Sequence, residues 1–342
     1  MLPTGRDIMS RRQFMTQSSW AAGAVVLGAG SGMAGAESSS SPKPDRPLPT
    51  RILGKTKVPV TIMTLGTAPC GFSPKTTVQD IADLVNEAID LGINSIDTAP
   101  AYQKAEEGVG LGLGRRRKEV FLATKVRANN LQEAEKSLAN SFKMLRTDYI
   151  DLLYYHSLGN LNLEGTFRPE GVFTWLLKQK QAGKCRFIGI SGHHLPGRFA
   201  PFLETGQVDV VLMALNFVDR HTYNFEEKVL PLARKHQAGV VAMKVFGGAN
   251  PEGGGYGNPN SVALLPAEYL PLAVRYALSL PGVATLNLGV RNKEQLRQNL
   301  AMVQAFQPLS PEEEQKVLAL GKQLAEKWGP HFGPVTEEKL KI

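Results

Sequence analysis

The sequence predicts an eight-stranded parallel β/α barrel, and three observations support this fold class. Short apolar segments alternate with helical periods along most of the chain, which is typical of a parallel sheet covered by helices. Eight such units follow one another, and that number favours closure into a barrel over an open sheet. The chain has 342 residues, of which 42% are hydrophobic, so it is long and apolar enough for one barrel-sized core.

The eight predicted strands are short apolar segments. They are Thr61–Gly66, Ile93–Ile96, Val120–Thr124, Tyr149–Tyr155, Cys185–Ile190, Val208–Met213, Val240–Met243 and Thr285–Leu288. The clearest helical patterns between them cover Val78–Leu91, Leu131–Leu145, part or all of Glu164–Ala182, and Pro266–Ser279. We also expect a hairpin over Arg51–Val60 that plugs the barrel base, and a final helix over Pro311–Lys327 against its flank. The barrel domain is therefore expected to span residues 51–342.

The first 36 residues have the pattern of an export signal. Arg11 and Arg12 form a twin-arginine pattern in S-R-R-Q-F-M, and an apolar, small-residue stretch and an A-G-A site at residues 34–36 follow. That stretch is too short and glycine-rich for a stable membrane span, which needs about 20 residues. We therefore expect recognition by the twin-arginine (Tat) export machinery, a periplasmic or otherwise exported location, no permanent membrane anchor, and a Ser/Pro-rich linker at residues 37–50.

Charge and cysteine content restrict the function further. The formal net charge is +8, and it falls to +6 without residues 1–36, which contain three arginines and one aspartate. The longest basic run, Arg115–Lys118, lies between a predicted helix and a strand, at the barrel end opposite the strand C-termini. It is typical of a solvated surface, so we expect no nucleic-acid partner. Cys70 and Cys185 are predicted at opposite ends of the barrel, farther apart than the ~7 Å that a disulfide spans, so both should be free thiols.

Four polar residues follow three successive predicted strands. Asp97 and Tyr102 lie in G-I-N-S-I-D-T-A-P-A-Y, Lys125 closes V-F-L-A-T-K, and His156 closes Y-I-D-L-L-Y-Y-H. Each residue alone is compatible with capping or packing. The C-terminal strand ends of a parallel barrel converge on one mouth, however, and catalytic groups lie there. A carboxylate, a phenol, an ammonium and an imidazole at that mouth predict a proton-transfer site.

This constellation, with its D-x-x-x-x-Y spacing, resembles that of the aldo-keto reductases, and the resemblance extends from Arg51 to the C-terminal helix. It implies NAD(P)H-dependent reduction of an aldehyde or ketone, or the reverse oxidation, with Tyr102 as general acid. It also implies that Lys125 lowers the pKa of Tyr102, that Asp97 holds Lys125, and that His156 orients the substrate oxygen. The chemistry is coherent, because a free tyrosine titrates near ~10 and a neighbouring ammonium stabilises the phenolate.

The resemblance further implies a dinucleotide extended across the barrel mouth, with NADP(H) favoured over NAD(H). No phosphate-binding G-x-G-x-x-G loop is needed for this mode, and Gly108–Gly112 lies inside a predicted helix. The segment Leu288–Asn299 is similar to the family's last strand, loop and helix. The implied cofactor-binding residues are Gly66, Thr67, Ser191, Asn216, Met243, Lys244, Phe246, Gly247, Arg291, Gln295, Gln298 and Asn299. The sequence departs from the family pattern at Gly192, Leu212 and Gln295, where Asn, Gln and Arg are usual.

Two other functions remain open from the residues. One is an exported nucleotide-binding regulatory or partner subunit with little turnover, and the other is a non-redox barrel enzyme that uses Lys125 as a base or Schiff-base amine. His193, His194 and His221 lie near mouth-side loops, but no ligand spacing joins them, so we expect no metal site. The long connections Ser157–Pro169 and Gly247–Ser261 are predicted to be binding loops at the mouth.

Overall fold

The structure is a computed structural model that describes residues 47–342. The expected signal segment 1–36, and the linker as far as residue 46, lie outside the described residues. Ten strands follow in chain order: β1 Thr50–Ile52, β2 Pro59–Thr61, β3 Met63–Gly66, β4 Ser95–Asp97, β5 Phe121–Val126, β6 Ile150–Tyr155, β7 Cys185–Gly192, β8 Val210–Ala214, β9 Gly239–Met243 and β10 Val283–Gly289. Strands β3 to β10 pair in parallel in chain order, and β10 closes the barrel on β3. The predicted fold class is confirmed.

Eleven α-helices connect or flank these strands within the described residues. They are α1 Ala68–Phe72, α2 Val78–Asp90, α3 Ala105–Leu113, α4 Leu131–Leu145, α5 Val172–Gln181, α6 Ala200–Glu204, α7 Phe225–Lys228, α8 Leu230–Lys235, α9 Leu270–Ser279, α10 Lys293–Gln304 and α11 Pro311–Trp328. Helices α2 and α11 begin with capping boxes at Thr77 and Ser310. The helix expected somewhere in Glu164–Ala182 is only α5, because residues 164–171 form turns around Gly165 and Gly171.

The predicted hairpin plugs the base of the barrel. Strands β1 and β2 pair antiparallel, and Leu53 and Val60 enter the same apolar cluster as the barrel interior. Leu53 packs against Gly239 at the start of β9, where a Cβ atom would lie only 2.7 Å from the Leu53 side chain. Leu48 is also buried in the core, so the last residues of the expected linker pack with the barrel.

Alternation along β5 shows which side chains face the barrel interior. Phe121 and Ala123 belong to the interior cluster, whereas Leu122 and Val126 belong to the core between the strands and the surrounding helices. This is the period of two that a strand imposes. Lys125 therefore shares the interior direction of Phe121 and Ala123, one step nearer the mouth.

The glycines of G-V-G-L-G lie inside α3 and have a packing role. A Cβ atom at Gly108 would overlap Ile81 of α2, and one at Gly110 would overlap the backbone carbonyl of Met144 in α4. Helix α3 is thus seated between α2 and α4 at a distance that only glycine permits.

The predictions for the two cysteines and for the last helix agree with the structure. Both thiols are free and buried, and burial raises the pKa of Cys70 and of Cys185 to about 12, so neither is a reactive thiolate. The last helix, α11, packs against α9 and against the turn at Asp219–His221. Among residues 47–342, no helix combines the length and apolarity needed to cross a membrane.

Candidate active site

Lys125 and Asp97 form a buried ion pair at the mouth end of the barrel. The Nζ atom of Lys125 donates to Oδ1 of Asp97 at 2.5 Å and to the carbonyl oxygen of Thr98 at 2.8 Å, with 1% of the lysine side chain exposed. Asp97, which was predicted to follow a strand ending at Ile96, is the last residue of β4. Lys125 is not at a strand end, because β5 continues to Val126. The interior direction of the lysine, rather than its terminal position, brings it to the carboxylate.

Tyr102 and His156 complete the group. Tyr102 ends a short 3-10 turn that follows β4, and its ring centroid lies 5.0 Å from Nζ of Lys125. The ring of His156, directly after β6, stands edge-on to Tyr102 with centroids 5.9 Å apart. Tyr102, Lys125 and His156 line one cavity of about 100 Å³. The structure thus brings all four predicted catalytic residues together at one mouth.

The electrostatics of Tyr102 differ from the sequence-based expectation. Burial, and secondly the negative charge of Asp97, raise the pKa of the phenol, whereas Lys244 acts in the opposite direction. The net effect is therefore a raised pKa, and not the lowering by Lys125 that the resemblance implied. Burial lowers the pKa of Lys125 itself, against the opposing effect of Asp97. The phenol therefore remains the protonated, proton-donating species at neutral pH.

Two histidines of the cavity are held neutral. Burial, and then the charge of Lys125, place the pKa of His156 well below its ordinary value. Burial and Lys244 do the same for His193, which also lines the cavity. Neither imidazole has a hydrogen bond within the part of the chain that the structure describes. Each neutral ring therefore offers one N–H donor and one acceptor nitrogen.

Aromatic residues that sequence reasoning missed form the wall of this cavity. Phe72 of α1 lies 5.8 Å from Tyr102, and Tyr256 stacks on Phe72 with centroids 6.3 Å apart. Both line the 100 Å³ cavity together with Ser191, Met243 and Lys244. The available signal was position alone: Phe72 follows the first barrel strand, and Tyr256 lies in the long glycine-rich connection after β9.

A second cavity of about 410 Å³ adjoins the first, and half of the twelve predicted cofactor-binding residues line it. Lys244 and Tyr256 border both cavities. The predicted residues that line the larger one are Lys244, Phe246, Arg291, Gln295, Gln298 and Asn299. Lysine, arginine and amide side chains give it a set of donors suited to phosphates and a purine base.

Four predicted cofactor residues are not exposed to either cavity. Asn216 uses its whole amide in a turn, donating to Asp219 and to the Lys244 carbonyl while its oxygen accepts two backbone N–H groups. It is therefore not available to replace the glutamine that the family has at Leu212. Thr67 is fully buried and donates to the Asp97 carbonyl. Gly66 packs against β10, and Gly247 against the ring of Trp328.

The connection after β9 covers the junction of the two cavities. The Nζ atom of Lys244 donates to the hydroxyl of Tyr256 at 3.0 Å. The Arg291 guanidinium donates to the carbonyl oxygens of Ser261 at 2.6 Å and Asn258 at 3.3 Å, while its Nε has no partner. The loop is therefore held near its middle, at Tyr256, and toward its C-terminal end by two cations that belong to the candidate nucleotide site.

The connection after β6 is a packed wall. Leu158 and Leu161 are buried, and Arg198 donates to both of their carbonyl oxygens at 2.8 Å. Arg198 also forms a two-pronged ion pair with Glu337 of the C-terminal segment. Nowhere in residues 47–342 do three or more His, Cys, Asp or Glu side chains form a cluster that could hold a metal ion.

A closed parallel barrel with a tyrosine, a histidine and a lysine–aspartate pair in its mouth defines a class of barrel oxidoreductases. A sequence model described as "Aldo/keto reductase family" matches residues 62–260, which is more than half of the chain. The protein belongs to the aldo/keto reductase family and is an oxidoreductase enzyme. Members of the family generally use NAD(P)H.

Individual relatives agree with this assignment. The chain is 28% identical over 295 residues to L-galactose dehydrogenase of Arabidopsis thaliana, covering 77% of this chain and 91% of that protein. It is 28% identical over 322 residues to aldo-keto reductase YhdN of Bacillus subtilis, covering 80% and 93%. Among solved structures, the holo form of aldo-keto reductase AKR11C1 from Bacillus halodurans matches with a TM-score of 0.64 and 26% identity, covering 80% and 97%.

Proposed function

We propose that the protein reduces a small aldehyde or ketone to an alcohol at the expense of NAD(P)H, with Tyr102 as the general acid. The supporting observation is that Tyr102, Lys125 and His156 border one cavity of about 100 Å³, with Asp97 bound to Lys125 beneath it. Carbonyl reduction requires a proton at the oxygen as the carbon is reduced, and a positioned acid supplies it.

Each of the four residues has a role that its contacts support. The raised pKa of Tyr102 keeps the phenol protonated until negative charge develops on the substrate oxygen. His156, held neutral, donates an N–H to that oxygen and orients it. Lys125 is fixed by Asp97 and Thr98, so its charge is preorganised beside the phenol and needs no rearrangement during the reaction.

The larger cavity fits a nicotinamide dinucleotide. Lys244 and Arg291 would hold its phosphates, Gln298 and Asn299 its base, and Met243 would pack against the ring that reacts. The unpartnered Nε of Arg291 is a donor left over for such a ligand. When bound, the reduced cofactor supplies hydride to the carbonyl carbon. We propose NADP(H) over NAD(H), since two cations border this cavity and a 2′-phosphate adds negative charge.

The buried ion pair argues against Schiff-base chemistry. A lysine that donates to Asp97 and Thr98 and exposes 1% of its side chain presents no free lone pair to a substrate carbonyl. Borohydride trapping with any carbonyl substrate should therefore give no adduct at Lys125.

The test combines binding and turnover. Fluorescence titration with NADPH and NADH should give saturable binding to the wild type and to Tyr102→Phe with similar Kd. Carbonyl reduction by Tyr102→Phe should fall by about 10²–10⁴-fold, the usual contribution of a positioned acid. Unchanged turnover would remove Tyr102 from the mechanism. Tight nucleotide retention with no turnover of any carbonyl by the wild type would support the partner-subunit hypothesis.

We also propose that the chain is exported by the twin-arginine pathway, with residues 1–36 as signal, 37–50 as linker and 51–342 as the barrel domain. The order of paired arginines, apolar stretch and A-G-A site supports this. Replacing Arg11 and Arg12 by lysine should retain the full-length precursor inside the cell. Undiminished processing of that variant would argue against this route.

A further inference from the structure

Arg127 directly follows the last residue of β5, two positions beyond Lys125. Along β5, Phe121, Ala123 and Lys125 face the barrel interior. Every second residue of a strand faces the same side, so Arg127 is the next residue expected to face the interior. The backbone N–H of His156 donates to the carbonyl of Val126 at 2.8 Å, so the pairing of β5 with the chain after β6 continues to this level. Arg127 is thus placed at the rim of the mouth, on the side of the reacting groups.

The Arg127 guanidinium is free. It is exposed and makes no hydrogen bond, ion pair or ring contact with any other residue in the range 47–342. The other two cations of the mouth differ in this respect, because Lys125 is paired with Asp97 and Lys244 donates to Tyr256. Arg127 is also close enough to His156 and His193 to contribute to lowering their pKa values.

The small cavity bordered by Lys125, His156 and His193 has no compensating negative charge in its lining. Its lining includes Lys125 and Lys244 but no aspartate or glutamate, and the neighbouring Asp97 is already used by Lys125. The neutral rings of His156 and His193 add two N–H donors without hydrogen-bond partners. A neutral carbonyl substrate needs one donor besides the acid, and His156 supplies it. The remaining donors, His193 and Arg127, are therefore in excess of what the carbonyl requires.

We propose that Arg127 and His193 form an anion subsite, and that the substrates of this enzyme are small aldehydes or ketones that carry a carboxylate. This inference rests on the proposed reductase function. A guanidinium binds a carboxylate through two parallel hydrogen bonds, which fixes the orientation of the substrate as well as its affinity. The cavity of about 100 Å³ limits the substrate to a small molecule. Lys244, which borders the larger cavity, remains assigned to the nucleotide.

A matched pair of substrates and a matched pair of variants test the proposal. The substrates are succinic semialdehyde and its methyl ester, which differ in charge but hardly in the aldehyde. The variants are Arg127→Gln, Arg127→Lys and the control Arg115→Gln, an exposed arginine without an ion pair at the opposite end of the barrel. Both sites are exposed, so the variants should fold, and circular dichroism and nucleotide titration verify this.

The wild type should reduce the acid with a kcat/KM at least tenfold above that of the ester. Arg127→Gln should raise KM for the acid at least tenfold and leave kcat/KM for the ester and the nucleotide Kd unchanged. Arg127→Lys should recover part of the loss, and Arg115→Gln should show none. Equal effects of Arg127→Gln on both substrates, or no effect on either, would overturn the anion subsite while the reductase function stands. If the wild type reduces neither substrate nor any other aldehyde with either nucleotide, the proposed function fails and this inference with it.

Discussion

The Nζ atom of Lys125 lies 2.5 Å from Oδ1 of Asp97, and both side chains are almost completely buried beneath the cavity that Tyr102 borders. Desolvation of two charges is costly, and an ion pair of this kind is retained only where its partners satisfy each other. Here Thr98 provides a second acceptor for the ammonium. The Lys125 ammonium is therefore held in one position at the bottom of the site.

Replacing Lys125 alone should destabilise the protein more than replacing both Lys125 and Asp97. Lys125→Met leaves Asp97 buried and unpaired, and we expect a loss of about 3–5 kcal/mol in the free energy of unfolding. The double variant Asp97→Ala/Lys125→Met should recover much of that loss but no activity. Urea denaturation and steady-state kinetics measure both. A double variant less stable than Lys125→Met would show that the pair itself is strongly stabilising.

The pH dependence of reduction should follow the raised pKa of Tyr102. A pKa above the ordinary value of about 10 keeps the phenol protonated across the neutral range, so kcat for reduction should stay flat from about pH 6 to 9. The reverse oxidation requires the phenolate, so its rate should rise with pH over the same interval. An alkaline limb for reduction near pH 7 to 8 would mean that bound nucleotide lets the lysines dominate over burial and Asp97.

Arg291 should control the loop at residues 247–261. Arg291→Gln removes the hydrogen bonds to the Ser261 and Asn258 carbonyls, so hydrogen exchange and proteolysis within this loop should increase. The matched control is Arg297→Gln on α10, the helix that follows Arg291, and the ion pair of Arg297 is with Glu87. Equal exchange rates in the two variants would show that the loop is held by other contacts.

Gly110→Ala should destabilise the barrel by packing alone. Alanine is the better helix former, but its Cβ would overlap the Met144 carbonyl in α4, and we expect a cost of about 1–3 kcal/mol. Gly197→Ala, where nothing lies within 4 Å of the added Cβ, is the control and should be neutral. Thermal unfolding compares the two. A stable Gly110→Ala variant would mean that α3 and α4 can separate at low cost.

Local patterns in the sequence were sufficient to predict the barrel and the meeting of the four candidate catalytic residues at one mouth. Alternating strands and helices predicted the closed barrel, and most strand limits fell within two residues of those observed. Asp97, Tyr102, Lys125 and His156 were identified because strand C-termini of a parallel barrel must meet at one mouth. Chain connectivity imposes this convergence, so no distances were needed to predict it.

Contacts between distant segments could not be obtained in this way. The family resemblance implied a cofactor-binding role for Asn216, but the tertiary structure uses its amide in a turn with Asp219 and Lys244. No pattern in the sequence indicated that Tyr256, in a glycine-rich loop, would reach Lys244 and stack on Phe72. Such contacts depend on the path that long connections take through space. Hydrophobic periodicity and secondary-structure propensity do not determine that path.

The sequence by itself determined the barrel and which chemical groups lie at its mouth, because strand alternation and parallel topology fix both. Only the tertiary structure decided the charge state of those groups. It places Asp97 against Lys125 and surrounds Tyr102 with packed side chains. Desolvation and the charge of Asp97 therefore outweigh the ammonium of Lys244 and keep the phenol protonated. Among residues 47–342 the tertiary structure also leaves Arg127 without a partner, because pairing depends on which side chains are close in space and not on order in the chain.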